Sequence, residues 1–286
     1  MHFMEAKNIF KEWPRENHQI LQMKSKKKPE ISIIMNCYNG EQYLRKSLSS
    51  IINQTYKNWE LIFWDNCSTD QSKKIFKTFK DKRLKYFKSN KYQKLYKARN
   101  NAIKKSKGRY ISFIDTDDWW LKNRLTKQLS FIKSKSRDKC KIIYSNWFTY
   151  NQKKGIKRIF NNTKLPSGKI TQELLNKYEM NIGTVLICKS IFDDLKFDER
   201  YEIIGDFDFF IKASFKYKLF SMQEPLSYYR LHDNNFSKKF KLHFSELSNW
   251  LENNKKRFSN RNLSYQNQIL YLNKLKIKSI LNFGKI

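Results

Sequence analysis

The chain has 286 residues, of which 40% are hydrophobic and 16% aromatic, so it can form one domain with a sizeable core plus an appendage. It contains no run of ~20 apolar residues that would span a membrane, and its four cysteines lack metal-site spacing, as is typical of a reduced, cytoplasmic protein. The formal net charge of +33 indicates an acidic partner or surface, or else an A/T-rich genome that favours Lys, Asn and Ile codons.

The first half of the chain alternates between strand-like and helix-like segments. Short β-branched and aromatic runs predict strands over residues 31–35, 59–64, 84–87 and 110–114. Apolar residues at helical spacing predict a helix after each of the first strands, including one over residues 92–105. This order predicts an α/β fold in which a mostly parallel, Rossmann-like sheet carries helices on both faces.

Three carboxylates, those of Asp115, Asp117 and Asp118, directly follow the last of these strands. Carboxylates at this density repel one another unless a cation lies among them, and hard oxygen ligands suit Mg²⁺ or Mn²⁺. One hypothesis is therefore a metal–diphosphate site at the carboxyl end of the strand, where ligands bind in open α/β sheets. The alternative is a solvated acidic turn in which Asp118 starts the next helix.

The sequence contains neither G-x-G-x-x-G nor G-x-x-x-x-G-K-[ST]. A nucleotide bound to this sheet would therefore lack a glycine-rich phosphate loop, and its diphosphate would need a cation instead. The topology predicts that Tyr38, Asn39, Asp65 and Asp115 lie along one edge of the sheet, where such a ligand would bind.

A series of motifs between residues 30 and 237 has a recognisable order and spacing. These are Cys37-Tyr-Asn39, Asp65-Asn-Cys-Ser-Thr-Asp70, Ala98-Arg-Asn100, Phe113-Ile-Asp-Thr-Asp-Asp118, the segment 181–189, Gly205-Asp-Phe-Asp-Phe-Phe-Ile-Lys212 and Tyr229-Arg-Leu-His232. Together they resemble the motifs of the inverting family-2 glycosyltransferases with the GT-A fold. The chain departs from that pattern at several positions, among them Asn66 and Gly205.

The resemblance implies a nucleotide-sugar donor, with a UDP-sugar favoured, and a Mg²⁺ or Mn²⁺ ion held by Asp117, Asp115 and His232. It also implies that the basic stretch over residues 151–169 faces the acceptor. The nucleotide-sugar-binding residues that it implies are Cys37, Tyr38, Asn39, Glu41, Asp65, Asn66, Arg99, Asn100, Asp115 and Thr116.

The same resemblance implies that Asp206 is the general base, with Asp208 as the alternative. The chemistry needs such a group, because an acceptor hydroxyl is a poor nucleophile until a base takes its proton. A carboxylate at a predicted helix start can also be a helix cap, so a purely structural role for Asp206 stays open.

The chain changes character after Phe236, where apolar residues repeat at helical spacing. We predict a basic lead-in over residues 1–29, a GT-A domain over 30–237 and a helical, basic extension over 238–286. The extension could pack on the domain, dimerise, or lie on an anionic membrane surface.

The expected function is metal-dependent, inverting transfer of a sugar to a glycan or lipid-linked acceptor, in cell-surface polysaccharide synthesis. The expected location is the cytoplasm, with a peripheral contact at the inner face of the membrane. A basic nucleic-acid-binding protein is one alternative, although it leaves the acidic cluster unexplained because carboxylates repel phosphates. An inactive relative that serves as a scaffold is the other.

Overall fold

The computed structural model describes residues 28–135, 140–233 and 235–281, so nearly all of the predicted lead-in lies outside the described residues. The described residues form one mixed sheet with helices around it. Its strands are β1 (Ile31–Cys37), β2 (Trp59–Asp65), β3 (Leu84–Lys88), β4 (Tyr110–Phe113), β5 (Trp119–Trp120), β6 (Ile142–Asn151), β7 (Ile156–Ile159), β8 (Leu186–Cys188) and β9 (Leu219–Leu231). Its α-helices are α1 (Glu41–Ile52), α2 (Ser72–Thr78), α3 (Leu95–Lys105), α4 (Arg124–Ser134), α5 (Thr171–Asn176), α6 (Ile191–Asp194), α7 (Gly205–Lys216), α8 (Phe240–Ser259) and α9 (Gln266–Leu281).

The strand order is β3-β2-β1-β4-β8-β6-β9-β5, and β7 pairs with the outer half of β6. The first four strands are parallel to one another, as the alternation of strands and helices predicts. The second half is mixed, because β8, β7 and β5 run antiparallel to their neighbours. The predicted α/β fold is therefore confirmed, with the parallel order confined largely to its first half.

The register of the parallel strands brings their carboxyl ends to one edge of the sheet. Cys37 at the end of β1 lies opposite Asp65 at the end of β2, and Ile34 lies opposite Phe113 near the end of β4. The loops that follow these three strands therefore emerge side by side, which is the arrangement that the sequence predicted for its polar strand ends.

Alternate residues of the central strands feed two hydrophobic clusters, one on each face of the sheet. On β1, Ile33 packs on the face covered by Leu44 of α1, and Ile34 packs on the opposite face with Ala102 of α3. Because parallel strands of this kind are buried on both faces, they read as continuous apolar runs in the sequence.

The two C-terminal helices pack against the sheet domain. Leu247 and Trp250 of α8 and Leu275 of α9 are buried in the same cluster as Ile34. The opposite side of α9 exposes apolar residues, including Leu270 and Ile277. The helical extension is thus confirmed, whereas the predicted boundary at residues 237 and 238 stays a prediction. None of the helices in the described ranges is long and apolar enough to cross a membrane.

Candidate active site

A cleft of about 600 Å³ opens at the carboxyl ends of β1, β2 and β4. It runs from the loops after β1 and β2, past the acidic loop after β4, to a wall made by β6 and β9. Eight of the predicted site residues line it. They are Cys37, Tyr38, Asn66, Arg99, Asp115, Thr116, Asp117 and Asp206.

One end of the cleft carries two exposed tyrosines. The rings of Tyr38 and Tyr92 meet edge to face with their centroids 4.9 Å apart. Beside them, the Asn66 side chain donates to the Gln93 carbonyl at 2.7 Å and accepts from the Gln93 amide at 3.1 Å. Asn66 therefore holds the backbone of the segment that presents Tyr92. The sequence did not single out Tyr92, because it stood at the start of a predicted helix that in fact begins at Leu95.

Four other predicted nucleotide-binding residues are not among the described residues that line the cleft; these are Asn39, Glu41, Asp65 and Asn100. Two of them join the loops after β1 and β2. The Asn39 side-chain oxygen accepts from the Thr69 amide at 2.8 Å, and the Glu41 carboxylate accepts from the Gln71 amide at 2.7 Å. In return, the Asp70 carboxylate accepts from the Glu41 amide at 2.9 Å. Asp70 therefore caps the start of α1, and Glu41, the first residue of α1, holds the amide just before α2.

The remaining two support the cleft from beneath. Asp65 is buried, where its carboxylate accepts from the Ser68 amide at 2.8 Å and from the Tyr86 hydroxyl. The Asn100 amide group donates to the Phe197 carbonyl at 2.9 Å and accepts from the Phe197 amide at 3.2 Å. Both residues therefore hold backbone, Asp65 that of the loop after β2 and Asn100 that of the segment before α7.

The acidic loop gives each of its three carboxylates a different partner. Asp115 accepts from the buried Arg99 guanidinium at 2.8 Å while its side chain stays 40% exposed. Asp117 Oδ2 lies 2.9 Å from Nε2 of His232. Asp118 is buried and accepts from the Arg230 amide at 2.9 Å. The alternative in which Asp118 starts the next helix is therefore wrong, since α4 begins only at Arg124.

Arg230 holds the acidic loop in place from β9. Its Nε donates to the Asp117 carbonyl at 2.8 Å, and its guanidinium lies 4.4 Å from the ring of Tyr43. Two residues further on, the backbone amide of His232 donates to the Asn235 side chain at 2.6 Å, which holds the backbone that carries the imidazole ring. The Tyr229-Arg-Leu-His232 motif thus connects β9 to the loop after β4 by hydrogen bonds.

The site offers a divalent cation a partial set of ligands. No group of three His, Cys, Asp or Glu side chains converges on one metal position in the part of the chain that is described. However, cis ligands of a Mg²⁺ ion with bonds of about 2.1 Å lie about 3 Å apart, which matches the 2.9 Å between Asp117 Oδ2 and His232 Nε2. In this structure the two groups are hydrogen-bonded to each other, and they are the candidate protein ligands of such an ion. Mg²⁺ commonly takes its remaining ligands from substrate phosphates and water.

Burial and the negative charges of neighbouring aspartates raise the pKa of the Asp117 and Asp118 carboxyls. Burial is the larger cause for Asp117, followed by the charge of Asp115, while the hydrogen bond from His232 acts in the opposite direction. Burial also raises the pKa of Asp118 well above its ordinary value, and the charges of Asp117 and Asp115 add to the effect. Added positive charge at this loop would relieve the repulsion.

Asp206 and Asp208, two residues apart at the start of α7, have opposite surroundings. Asp206 faces the cleft, where it accepts from the hydroxyls of Tyr96 at 3.1 Å and Tyr178 at 3.3 Å. Asp208 faces away from the cleft and is 2% exposed. It accepts from Lys212 Nζ at 2.6 Å and from Trp250 Nε1 at 2.9 Å. Of the two carboxylates, only that of Asp206 reaches the cleft.

Burial raises the pKa of the Asp206 carboxyl, and the charge of Arg99 and three hydrogen bonds oppose that effect. One of these bonds comes from the Phe207 amide at 2.9 Å. A carboxylate with a raised pKa is a stronger base than an ordinary one, provided that it is ionised at the working pH.

The departure at Gly205 has a steric reason. A Cβ at this position would lie 2.4 Å from ring carbons of Tyr96, so the close approach of that ring requires glycine. The same Tyr96 hydroxyl donates to Asp206, and it also lies 3.0 Å from the Ile203 carbonyl. Gly205 and Tyr96 therefore act together to orient the candidate base.

The turn that leads into α7 is held by a residue from the C-terminal extension. Both carboxylate oxygens of Glu246 in α8 accept backbone hydrogen bonds, from the amides of Glu202 at 2.6 Å, Ile203 at 2.9 Å and Ile204 at 3.2 Å. The N-cap residue of α7, Ile204, forms no side-chain cap hydrogen bond, whereas Asp206 accepts from the Phe207 amide within the first turn. No local sequence pattern predicts this contact, because it joins positions more than forty residues apart.

Comparison with known proteins identifies relatives of this chain. The profile of the family described as glycosyl transferase family 2 matches residues 32–196, which is more than half of the chain. An Escherichia coli protein, UDP-Glc:alpha-D-GlcNAc-diphosphoundecaprenol beta-1,3-glucosyltransferase WfgD, is 32% identical over 58% of this chain. The match covers 63% of that relative, so the chain spans less than two thirds of its length.

Two solved structures share the fold at low sequence identity. Staphylococcus aureus TarS 1–349 in complex with UDP-GlcNAc has a TM-score of 0.57 at 16% identity, and the match covers 87% of this chain and 72% of the TarS chain. A mannosyltransferase from Pyrobaculum calidifontis in complex with GDP-Man and Mn²⁺ has a TM-score of 0.55 at 14% identity, and covers 77% of this chain and 64% of its own. Both similarities support the α/β fold described above.

Proposed function

Because the chain belongs to glycosyl transferase family 2, we propose that it transfers a sugar from a nucleotide-sugar donor to a hydroxyl of a glycan or lipid-linked acceptor. The observation that carries this proposal is the single cleft that unites the strand ends, the acidic loop and Asp206. A UDP-sugar is the favoured donor, since the E. coli relative is named for UDP-Glc and TarS binds UDP-GlcNAc. Cell-surface polysaccharide synthesis is the favoured context, and nucleic acid is not the expected partner.

The donor nucleotide would occupy the end of the cleft near β1 and β2. The exposed rings of Tyr38 and Tyr92 offer a stacking surface for the base at that end. The diphosphate would then extend toward the acidic loop, which follows the neighbouring strand β4. This orientation directs the reacting sugar toward Asp206 and the wall formed by β6 and β9.

Mg²⁺ or Mn²⁺ is the expected cofactor, with Asp117 and His232 as its protein ligands and Asp115 beside them. Such a cation would offset the negative charge that develops on the leaving diphosphate. The role of Arg99 would be to hold Asp115 and to reduce the repulsion between carboxylates before the donor binds.

Asp206 would be the general base of an inverting reaction. The acceptor hydroxyl would lose its proton to Asp206 as its oxygen bonds to the anomeric carbon, while the bond from that carbon to the diphosphate breaks. Inversion follows when the base and the leaving group lie on opposite sides of the sugar. The contacts of Asp208 with Lys212 and Trp250 favour a structural role for that carboxylate.

The expected location is the cytoplasmic face of a membrane, through α9. One side of this helix exposes three apolar residues, Leu270, Ile277 and Leu281. Lysines lie between them in the sequence. An apolar stripe flanked by lysines is typical of helices that lie in the interface of an anionic membrane. This contact would bring the cleft close to a lipid-linked acceptor.

The test is incubation of the purified protein with Mn²⁺ and a panel of nucleotide sugars, with and without a lipid-linked sugar acceptor. We expect release of nucleotide with one donor, and more release when the acceptor is present. Donor binding without turnover would favour the scaffold alternative. Absence of any donor binding, together with salt-dependent binding of RNA or DNA, would favour the nucleic-acid alternative.

A further inference from the structure

The far wall of the cleft includes the hairpin formed by β6 and β7. In this antiparallel pair Thr149 lies opposite Arg158, and Phe148 lies opposite Ile159. Opposite residues in an antiparallel pair share a face of the sheet, and successive residues alternate between faces. Thr149 lines the cleft, so Arg158 lies on the cleft face of the hairpin.

Lys157 belongs to the opposite face of the same strand. Its ammonium group lies 4.7 Å from the ring centroid of Phe148, which is not among the residues that line the cleft. Arg158 and Lys157 are therefore adjacent cations that differ in which side of the hairpin they occupy. Both are exposed, and Arg158 forms no ion pair with any described residue.

An aromatic surface continues the cleft face beside Arg158. The rings of Phe160 and Trp147 stack with centroids 3.8 Å apart and an interplanar angle of 16°, and both residues line the cleft. Trp147 is buried beneath Phe160, whereas the Phe160 side chain itself is 39% exposed. A flat aromatic ring exposed in a cleft suits the apolar face of a sugar ring.

The charge of the cleft lining differs from the charge of the hairpin face beside it. The aspartates that line it, Asp115, Asp117 and Asp206, lie in the acidic loop and at the start of α7. The cleft face of the hairpin instead carries Arg158, beside the lining residue Thr149. The planar array of donors of a guanidinium matches the oxygens of a phosphate group. The hairpin face therefore combines a surface for a sugar with a site for an anion.

We propose that this hairpin face binds the acceptor, and that the acceptor carries a phosphate group next to its accepting sugar. Phe160 stacks on the sugar, and Arg158 pairs with the phosphate. The proposal rests on the glycosyl transfer proposed above, and it adds the charge of the acceptor and two residues that recognise it. The phosphate can belong to a lipid diphosphate or to a phosphodiester within a glycan, and the experiment separates these sources.

The experiment compares Arg158→Gln with Lys157→Gln, which removes the same charge from the other face. The probes are decyl diphosphate-linked α-GlcNAc, the uncharged decyl α-GlcNAc glycoside, and a lipid-free glycan with phosphodiester linkages. Calorimetry in the presence of UDP measures the affinity of each probe. We expect wild type to prefer one phosphate-bearing probe over the glycoside, and Arg158→Gln to lose about tenfold of that affinity, as for one charge-assisted contact.

Lys157→Gln should bind all three probes like wild type, and neither variant should change the affinity for UDP. Phe160→Ala should weaken the charged and uncharged decyl probes alike, whereas Ile159→Ala on the opposite face should weaken neither. Preference for the decyl diphosphate identifies a lipid-linked acceptor, and preference for the phosphodiester glycan identifies a polymer. Equal binding of charged and uncharged probes, or equal losses in Arg158→Gln and Lys157→Gln, overturns the proposal. Failure of the proposed function appears separately, as absence of nucleotide release from any donor.

Discussion

The two carboxylates at the start of α7 allow a matched test of the proposed base. Asp206→Asn and Asp208→Asn are nearly isosteric changes, two positions apart in one helix. Asp206 contacts Tyr96 and Tyr178 in the cleft, whereas Asp208 contacts Lys212 and Trp250 away from it. We expect only Asp206→Asn to remove the base, because an amide cannot accept the proton of the acceptor hydroxyl.

The expected magnitudes follow from these contacts. Loss of a general base costs roughly 10²–10⁴ in rate, or about 3–5 kcal/mol of barrier. Donor affinity should change little in Asp206→Asn, because the base contacts the acceptor rather than the diphosphate. Because burial raises the pKa of Asp206, its ionised form destabilises the fold once pH rises through the folded pKa. Asp206→Asn should therefore keep or raise Tm at pH 7, and any gain should vanish in acid.

Asp208→Asn involves two opposing effects. It weakens the ion pair with Lys212, but it also removes a buried charge whose pKa is raised by that burial. We expect its Tm to lie within about 4 °C of wild type and its kcat to stay close to the wild-type value. The assay measures kcat with saturating donor and acceptor, donor affinity by calorimetry, and Tm.

An active Asp206→Asn beside an inactive but folded Asp208→Asn would refute the assignment. If both variants stay fully active, the base lies elsewhere in the cleft. A loss of activity in Asp206→Asn that is accompanied by a large fall in Tm would indicate misfolding instead, and Tyr178→Phe would then test the orientation of the carboxylate without removing it.

Four further predictions concern the metal ion, the pH dependence of kcat, the contact of α9 with membranes and the hydrogen bonds of Glu246. Asp117→Ala should abolish the Mn²⁺-dependent part of donor binding measured by calorimetry, and full donor affinity in excess EDTA would contradict a metal role. Because burial raises the pKa of Asp206, kcat should begin to fall on acidification at a higher pH than an exposed aspartate would give; a pH–rate profile tests this. Ile277→Ser with Leu281→Ser should reduce co-sedimentation with anionic vesicles severalfold, and equal sedimentation would reject the α9 contact. Glu246→Gln should cost roughly 3 kcal/mol of unfolding free energy by losing charge-assisted bonds, and should lower kcat more than donor affinity; an unchanged urea midpoint would contradict this.

Local sequence patterns predicted the parallel half of the fold. Strands β1, β2 and β4 are continuous apolar runs that end in polar residues, and both features depend only on adjacent positions. The motifs therefore located Asp115, Asp117 and Asp206 in one cleft correctly. The antiparallel pairing of β8 and β5 was not predictable in this way, because it depends on which distant strand lies beside each one.

The resemblance favoured Asp206 over Asp208, but the helical spacing alone could not separate them, and the reason is geometric. Residues two apart in an α-helix point about 200° apart, so one faces the cleft if the other faces the core. The spacing cannot say which one does. That choice depends on Trp250, whose indole donates to Asp208 from a helix much later in the chain. Similarly, Asn39 and Glu41 match a nucleotide-binding motif, but their side chains accept hydrogen bonds from backbone amides of the loop after β2.

The C-terminal extension changes how the candidate catalytic helix is supported. The amides of the three residues that precede α7, Glu202 to Ile204, all donate to the buried carboxylate of Glu246. Its negative charge at a helix start also complements the helix dipole. Trp250, one helical turn later in α8, holds Asp208 and so fixes the rotation of α7 about its axis. Since that rotation determines whether Asp206 faces the cleft, α8 acts as part of the unit that orients Asp206 rather than as a separate appendage.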